Sequence, residues 1–291
     1  MFNSGKSSSA FSRYIMTFID THTHPYDTAF DADREEVLQR ALDAGVSKWI
    51  FPAIDSTYYH MQLECFNNHQ NNAFMTIGLH PTSVAANWRE ELKFVEEKLK
   101  DSVNSSNHDS ALSCNPRYYA IGEIGLDGYW SKEFMKEQME VFSTQIDMAA
   151  EYNLPIIIHE RSATDEIFQV LDNHVFGKSG KSQRIRGMFH AFSGSPETFE
   201  RIQRYGEFKV GIGGIVTYKN AGIAKTLENI PLKSIVLETD SPWLTPVPHR
   251  GKRNESSYIP LIAAKVSEIK GCSIDEVAFQ TTMNAEELFA I

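Results

Sequence analysis

The stretch Phe18-Ile19-Asp20-Thr21-His22-Thr23-His24-Pro25 joins a short apolar run to two histidines one residue apart. In an extended strand the side chains alternate, so residues two apart face the same way. His22 and His24 therefore project together from the carboxyl end of a strand. Two convergent imidazoles make half of a metal site. Taken alone, the segment also fits a polar loop with two unrelated histidines.

The same arrangement recurs along the chain. Glu123 follows the run 118–122, His159 follows 154–158, His190 follows 185–189 and Asp240 follows 234–239. Each run is short and β-prone, and each leads into a loop and a helix-like segment. If the strands are parallel neighbours, their carboxyl ends meet on one face, where such folds build active sites. Four histidines and two carboxylates then converge.

Strands are expected at 17–21, 47–53, 73–78, 118–122, 155–158, 185–189, 207–211 and 234–237. Helices alternate with them at 32–44, 56–71, 84–100, 131–152, 163–173, 196–205, 219–228 and 256–270, and a last one spans 274–289. In 131–152 the residues Phe134, Met135, Met139, Phe142, Ile146 and Ala149 keep near-helical spacing. Asp31 or Asp33 can cap the first helix, and Ser195-Pro196 reads as a cap followed by proline at the first helical position. Eight βα units make an α/β TIM (β/α)8 barrel in a single domain the economical architecture. An open doubly wound sheet is the alternative. Donors drawn from strands one, four, five, six and eight favour closure, because an open sheet holds its edges apart. The polar segment 101–116 reads as a surface loop opposite the chemistry.

Composition sets the outer limits. A chain of 291 residues with 42% hydrophobic residues can bury one large core. Its net charge of -10 argues against broad coating of nucleic acid but leaves room for gripping a strand end. Three scattered cysteines, Cys65, Cys114 and Cys272, suit a reducing compartment such as the cytoplasm. No run approaches the roughly 20 apolar residues that cross a bilayer. Residues 1–15 read as a disordered N-terminal extension, and 16–291 as the single barrel domain.

The donor chemistry points to two divalent cations. Glu123 is the natural bridging carboxylate. His22, His24 and Asp240 are expected to hold one ion, and His159 and His190 the other. Nitrogen and oxygen donors without thiolates suit Zn, Mn, Fe or Co, and Mg less comfortably. Paired cations polarise a phosphoryl or carbonyl oxygen and make a water acidic. Asp240 can then orient that water and accept its proton. His80, after the third strand, reads as a substrate contact or a plain loop residue. Arg161 shares the parity of His159 and can clamp a phosphate. The basic loop 249–254, with Arg253 and Asn254, reads as an anion site or a solvated charge run. Gly211, Gly213 and Gly214 either admit a phosphate or relieve crowding at the rim.

These segments together resemble the TatD family of metal-dependent deoxyribonucleases, within the amidohydrolase-like superfamily. The resemblance rests on Asp20-Thr-His-Thr-His24, Gly78-Leu-His-Pro81, Gly122-Glu-Ile-Gly-Leu-Asp127, His159-Glu-Arg161, His190-Ala-Phe-Ser-Gly194, Glu238-Thr-Asp-Ser-Pro242 and Arg250-Gly-Lys-Arg-Asn254. It implies a TIM barrel, a two-metal centre on His22, His24, Glu123, His159, His190 and Asp240, and 3′-end hydrolysis of DNA. Mg, Mn or Zn are the metals it suggests, and DNA ends or short oligonucleotides the substrates. No membrane and no obligate protein partner are expected. Glu160, Ala191 and Ser256 depart from the family pattern, which often has Cys, Cys and Pro there. Hydrolysis of a small amide, ester or lactone is the alternative use of the same donors.

Overall fold

A computed structural model of the chain describes residues 17–105, 116–177 and 185–291. The proposed extension 1–15 therefore lies outside the described residues, as do His108 and Cys114.

Eight parallel strands lie in the order β1 to β8: β1 Phe18–Asp20, β2 Val46–Phe51, β3 Ala73–Ile77, β4 Tyr118–Asp127, β5 Ile156–Arg161, β6 Ile185–Phe189, β7 Gly206–Ile212 and β8 Ile235–Leu237. Helices follow them: α1 Arg34–Asp43, α2 Tyr59–Asn68, α3 Trp88–Ser105, α4 Met135–Glu151, α5 Thr164–Phe176, α6 Pro196–Ile202, α7 Ile223–Leu227, α8 Ile259–Lys270 and α9 Ile274–Phe289. The expected barrel in a single domain is the architecture found, and the open sheet is not. Closure between first and last strands is made just past their ends. Thr21 N donates to Leu237 O at 3.0 Å, Asp240 N to His22 O at 2.9 Å and His24 N to Ser241 O at 2.9 Å.

Two apolar layers hold this frame. Ile19, Ile50, Ala120, Ile157, Met188 and Val236 come from six strands and meet inside the barrel. Ala285, Leu288 and Phe289 of α9 pack on the same cluster and close its amino-terminal end. A larger layer fills the space between strands and helices, with Trp49, Phe51, Phe142, Phe168 and Phe208 among its largest side chains. Helices that cannot bury a face alone thus gain it against the sheet.

Several elements differ from their expected bounds. The helix expected to stop at 100 runs to Ser105 and takes up the start of the segment read as a loop; 106–115 is outside the described residues. β4 continues to Asp127 because its second half pairs with β5, Ile124 to Ile158 and Gly125 to His159. Glu123 and His159 therefore lie within strands rather than after them. Gly125 has φ +132°, and a Cβ there would collide with the His159 carbonyl. Ser195 caps α6 as expected, accepting from Thr198 N at 3.2 Å. Asp33 occupies the cap position of α1 but makes no cap bond. Its carboxylate faces Arg253 and Arg40 instead.

Candidate metal centre

All six expected donors gather at the carboxyl ends of the strands. His22 Nε2 lies 3.0 Å from Glu123 Oε2, 3.2 Å from His24 Nε2 and 3.7 Å from Asp240 Oδ1. His159 Nδ1 lies 2.8 Å from Glu123 Oε1. His190 Nε2 lies 3.7 Å from Asp240 Oδ1 and 3.9 Å from Glu123 Oε1. Glu123 stands at the centre, with imidazoles on both sides of its carboxylate.

The grouping differs from the expected one in two respects. His80 belongs among the donors, with its Nε2 3.3 Å from Glu123 Oε1. His80, Glu123 and His159 form one compact set, and His22, His24 and Asp240 another. His190 sits with the second set rather than beside His159. Its ring stacks on His22 at 3.5 Å between centroids, against 6.5 Å to His159.

A layer of polar groups behind the donors fixes their orientation, and sequence reading missed most of it. The Tyr26 hydroxyl donates to the Pro52 carbonyl, so it must accept from His24 Nδ1 at 2.7 Å. That assignment leaves the His24 Nε2 lone pair aimed at the site. Asp127 Oδ2 lies 2.9 Å from His159 Nε2. Glu238 Oε1 lies 3.1 Å from His190 Nδ1 and accepts from Ala191 N at 2.6 Å. Glu238 fits only because β7 carries Gly211 opposite it; a Cβ there would run into its carboxylate. Gly214, just after β7, serves packing too: a Cβ there would run into the Leu244 carbonyl.

Asp20 anchors the junction of β1 and β8. It is fully buried and accepts from His22 N, Thr239 N, Thr239 Oγ1 and Ser256 Oγ. The departure at Ser256 therefore supplies a hydroxyl to a buried carboxyl. Glu160, the other polar departure, accepts from Ala163 N at 3.2 Å and Thr164 Oγ1 at 2.9 Å, and so ties the end of β5 to the start of α5. Two buried glutamines of α4 hold the ends of β3 and β4. Gln145 Oε1 accepts from Leu79 N and its amide returns to Leu79 O. Gln138 makes the same reciprocal pair with Asp127. They are seven residues apart, two turns, and so share a helix face.

Burial and charge act against each other here. Burial favours the neutral Glu123 acid, but the surrounding His22, His80, His190 and His159 hold its carboxyl well below the usual range. Burial alone would lower His159; hydrogen bonds to Asp127 and Glu123 push it up to about 9 instead. Burial opposes charge on His190 too, yet Glu238, Asp240 and Glu123 raise it to about 10. Burial and the neighbouring His190 lower His22. Burial lowers His80. Burial carries Asp20 up to about 7 despite its four donors.

The donor set fits divalent cations. His24 Nε2 presents a lone pair 3.2 Å from His22 Nε2, with two carboxylates alongside, a cluster of nitrogen and oxygen donors of the kind divalent cations take. His22 Nδ1 and Glu238 Oε2 are buried without a hydrogen-bond partner. Nitrogen and oxygen donors of this kind suit Zn, Mn and related ions.

His24, His80, Glu123, His159, His190 and Asp240 line a cavity of about 680 Å³ that also touches Trp130, Arg161 and Trp243, with His22 buried behind them. That volume is in the range of about 300–1,000 Å³ that takes small ligands. Asp240 is 17% exposed to it, whereas Glu123 is 4% exposed. Arg161 lies over the Tyr129 ring at 3.8 Å and has no carboxylate partner among the described residues. The basic loop is used differently. Arg253 pairs with Asp33 at 2.7 Å and donates to Ala29 O at 2.6 Å. Asn254 is fully buried and its amide donates to Thr239 O and Trp243 O. Both hold loops together, and neither lines the cavity.

Comparison with known proteins agrees with this picture. A family model described as TatD related DNase matches residues 19–290. The chain is 36% identical over 273 residues to the uncharacterized metal-dependent hydrolase YabD of Bacillus subtilis, covering 94% of this chain and 98% of the relative. It is 29% identical over 270 residues to the 3′-5′ ssDNA/RNA exonuclease TatD of Erwinia amylovora, covering 91% and 96%. The crystal structure of YjjV, a TatD homologue from Escherichia coli, superposes with a TM-score of 0.79 at 29% identity, covering 95% of this chain and 99% of that one. The chain is a metal-dependent hydrolase belonging to the TatD-related DNase family.

Proposed function

We propose that this chain hydrolyses phosphodiester bonds of DNA from a strand end, in the 3′ to 5′ direction, with two divalent cations held by the clustered donors. The observation that carries the reading is the ring of imidazole and carboxylate atoms around Glu123 on the floor of an open cavity. His22, His24 and Asp240 would hold one ion; His80, Glu123 and His159 the other, with His190 beside Asp240. Such ions, as Mg, Mn or Zn, would polarise a phosphoryl oxygen and make a water acidic.

The chain's own groups supply the rest. Asp240 is the more open to the cavity of the two carboxylates among the donors, so it orients the attacking water and accepts its proton. Glu123, buried and ionised, fixes the donors on either side. Tyr26 and Asp127 hold two imidazoles in their working orientation, and the Glu238 carboxylate lies beside a third, that of His190. Arg161, over Tyr129 and free of a carboxylate partner among the described residues, takes a non-bridging phosphate oxygen. The polarity is that named for the Erwinia exonuclease, and a DNA end is the partner such a floor admits.

The direct test is digestion of end-labelled single- and double-stranded DNA. Activity should disappear with EDTA and fall at least about 100-fold in Asp240→Asn, the size of effect of removing a general base. Activity indifferent to both would overturn the reading. Hydrolysis of a small ester or lactone is the second reading. It is favoured by one observation, that among the described residues Arg161 is the one arginine or lysine lining the cavity. Arg161→Gln separates the two, since it should weaken turnover of a phosphodiester and leave a neutral ester alone.

A further inference from the structure

The cavity has aromatic walls that the hydrolytic chemistry does not require. Trp130 is 71% exposed and Trp243 is 48% exposed. Single exposed apolar side chains are ordinary on a surface, but these two large rings line the same cavity as the donors, and apolar surface gathered at a cleft marks a binding site. Trp130 follows β4 and Trp243 follows β8. In a barrel ordered β1 to β8 those strands are diametrically opposed, so the two rings stand on opposite sides of the mouth. Trp243 meets His24 edge to face at 5.3 Å, which sets it beside the donor floor. Trp130 lies against Tyr129 at 5.1 Å and near the Arg161 guanidinium at 5.4 Å, so its wall carries a cation.

We infer that Trp243 and Trp130 are the specificity-determining residues for an unpaired strand end: Trp243 stacks the terminal base and Trp130 the next one. The inference rests on the proposed phosphodiesterase reading and deepens it. A base offers a π face whatever its sequence, so two stacking rings grip a single strand without reading it. A paired terminal base is already stacked and held by its partner strand, and must be pulled free before it reaches Trp243. The phosphate between the two stacked bases is then held over the donor floor, with Arg161 on the Trp130 side. In a chain of net charge -10, stacking supplies grip that does not depend on a basic surface. The ligand class is a single-stranded oligonucleotide end of any sequence.

Two readouts test it. Binding is followed by tryptophan fluorescence in Asp240→Asn with a short single-stranded oligonucleotide; Trp49 and Trp88 are buried and give a constant background. Quenching is expected, reduced by removal of either rim tryptophan, with binding about ten-fold weaker in Trp243→Ala and in Trp130→Ala, and restored by phenylalanine at either place. Turnover is followed as the ratio of oligonucleotide hydrolysis to hydrolysis of a small aryl phosphodiester. That ratio should fall about ten-fold in each alanine variant, and blunt duplex should be cut more slowly than the same duplex with an unpaired 3′ tail. If the unsubstituted protein cuts the oligonucleotide but both alanine variants keep the same ratio and the same quenching, the stacking assignment is wrong and the nuclease reading stands. If the protein cuts the aryl diester and no oligonucleotide at all, the nuclease reading fails and takes the assignment with it.

Discussion

At the scale of single residues, the donors work only because other side chains point them. Tyr26 is the clearest case: its hydroxyl passes the Pro52 carbonyl's demand for a proton on to His24 and thereby chooses the tautomer. Tyr26→Phe removes that choice and keeps the ring. Metal affinity, measured by competition with a chelator, should drop about 10- to 100-fold; an unchanged affinity would remove Tyr26 from the account. Ser256 gives a second test. It donates to the buried Asp20 carboxyl at 2.7 Å. Ser256→Ala leaves one acceptor short of a donor and should destabilise the fold by about 1–3 kcal/mol in denaturant titration. No loss would mean that water or another hydroxyl takes its place.

The residue scale also shows what sequence could and could not disclose. His22, His24, His159, His190, Glu123 and Asp240 all stand at the end of β-prone runs, so one-dimensional position singled them out as a converging set. His80 stands in the same place but has no neighbouring donor along the chain. Its partners, Glu123 and His159, come from β4 and β5, and only the sheet order brings them to it. Glu238 looks like an ordinary strand residue until the glycine facing it on β7 is known. Tyr26 carries no pattern of its own, and Asp127 stands in a recognisable segment that does not say what it touches; both matter because of which imidazole nitrogen they meet. Arg253 has the opposite history. A charge run cannot tell which of its members is taken up by a carboxylate 220 residues away in sequence.

Among elements, α4 does more than cover the sheet. Val141, Phe142, Ile146 and Ala149 bury its apolar stripe, and Gln138 and Gln145 reach past that stripe to the backbones of Asp127 and Leu79. Gln145→Leu keeps the volume and removes both hydrogen bonds, leaving a buried N–H and carbonyl beside His80. A loss of about 1–3 kcal/mol is expected, read by denaturant titration. The stripe of 131–152 was legible from its helical spacing, whereas the glutamines within it were not, because a buried amide differs from an exposed one only in what it faces. The end of α1 offers a pH test. Arg40 grips Glu255 with Nε at 3.0 Å and Nη2 at 2.6 Å, joining α1 to the loop after β8. Burial favours the neutral Glu255 acid, but Arg40 outweighs it and holds the carboxyl below its ordinary value of 4.5. A carboxyl depressed on folding stabilises the native state above its unfolded pKa, and that contribution is lost as pH falls through the folded pKa. Glu255→Gln should therefore be less stable than the unsubstituted protein at pH 7. The gap in thermal midpoint should close as the pH drops below 4.5. A gap that stays constant with pH would show that the pair contributes through packing alone.

Across the whole molecule, the eight-fold alternation of strand and helix was readable from end to end, because short apolar runs and amphipathic helices repeat with regular punctuation. The lengths of β4 and α3 were not, since pairing with β5 extends β4 beyond its apolar run. No helix of the described residues is long and apolar enough to cross a membrane. The overall charge of -10 and a cavity with one lining arginine limit contact to few phosphates. Oligonucleotide affinity should accordingly depend weakly on salt, with a slope of log K against log salt of about -1 to -2 for a single strand. A steep slope would show that the protein grips more phosphates than the cavity's one lining arginine accounts for.

The measurement that bears most directly on the central claim is calorimetric titration of metal-stripped protein with Mn²⁺ or Zn²⁺, alongside Glu123→Gln. Two ions bound per chain, and loss of tight binding when the central carboxylate is neutralised, is the expected result. A protein that takes up no cation, or that binds cations equally well with Gln at position 123, would contradict it.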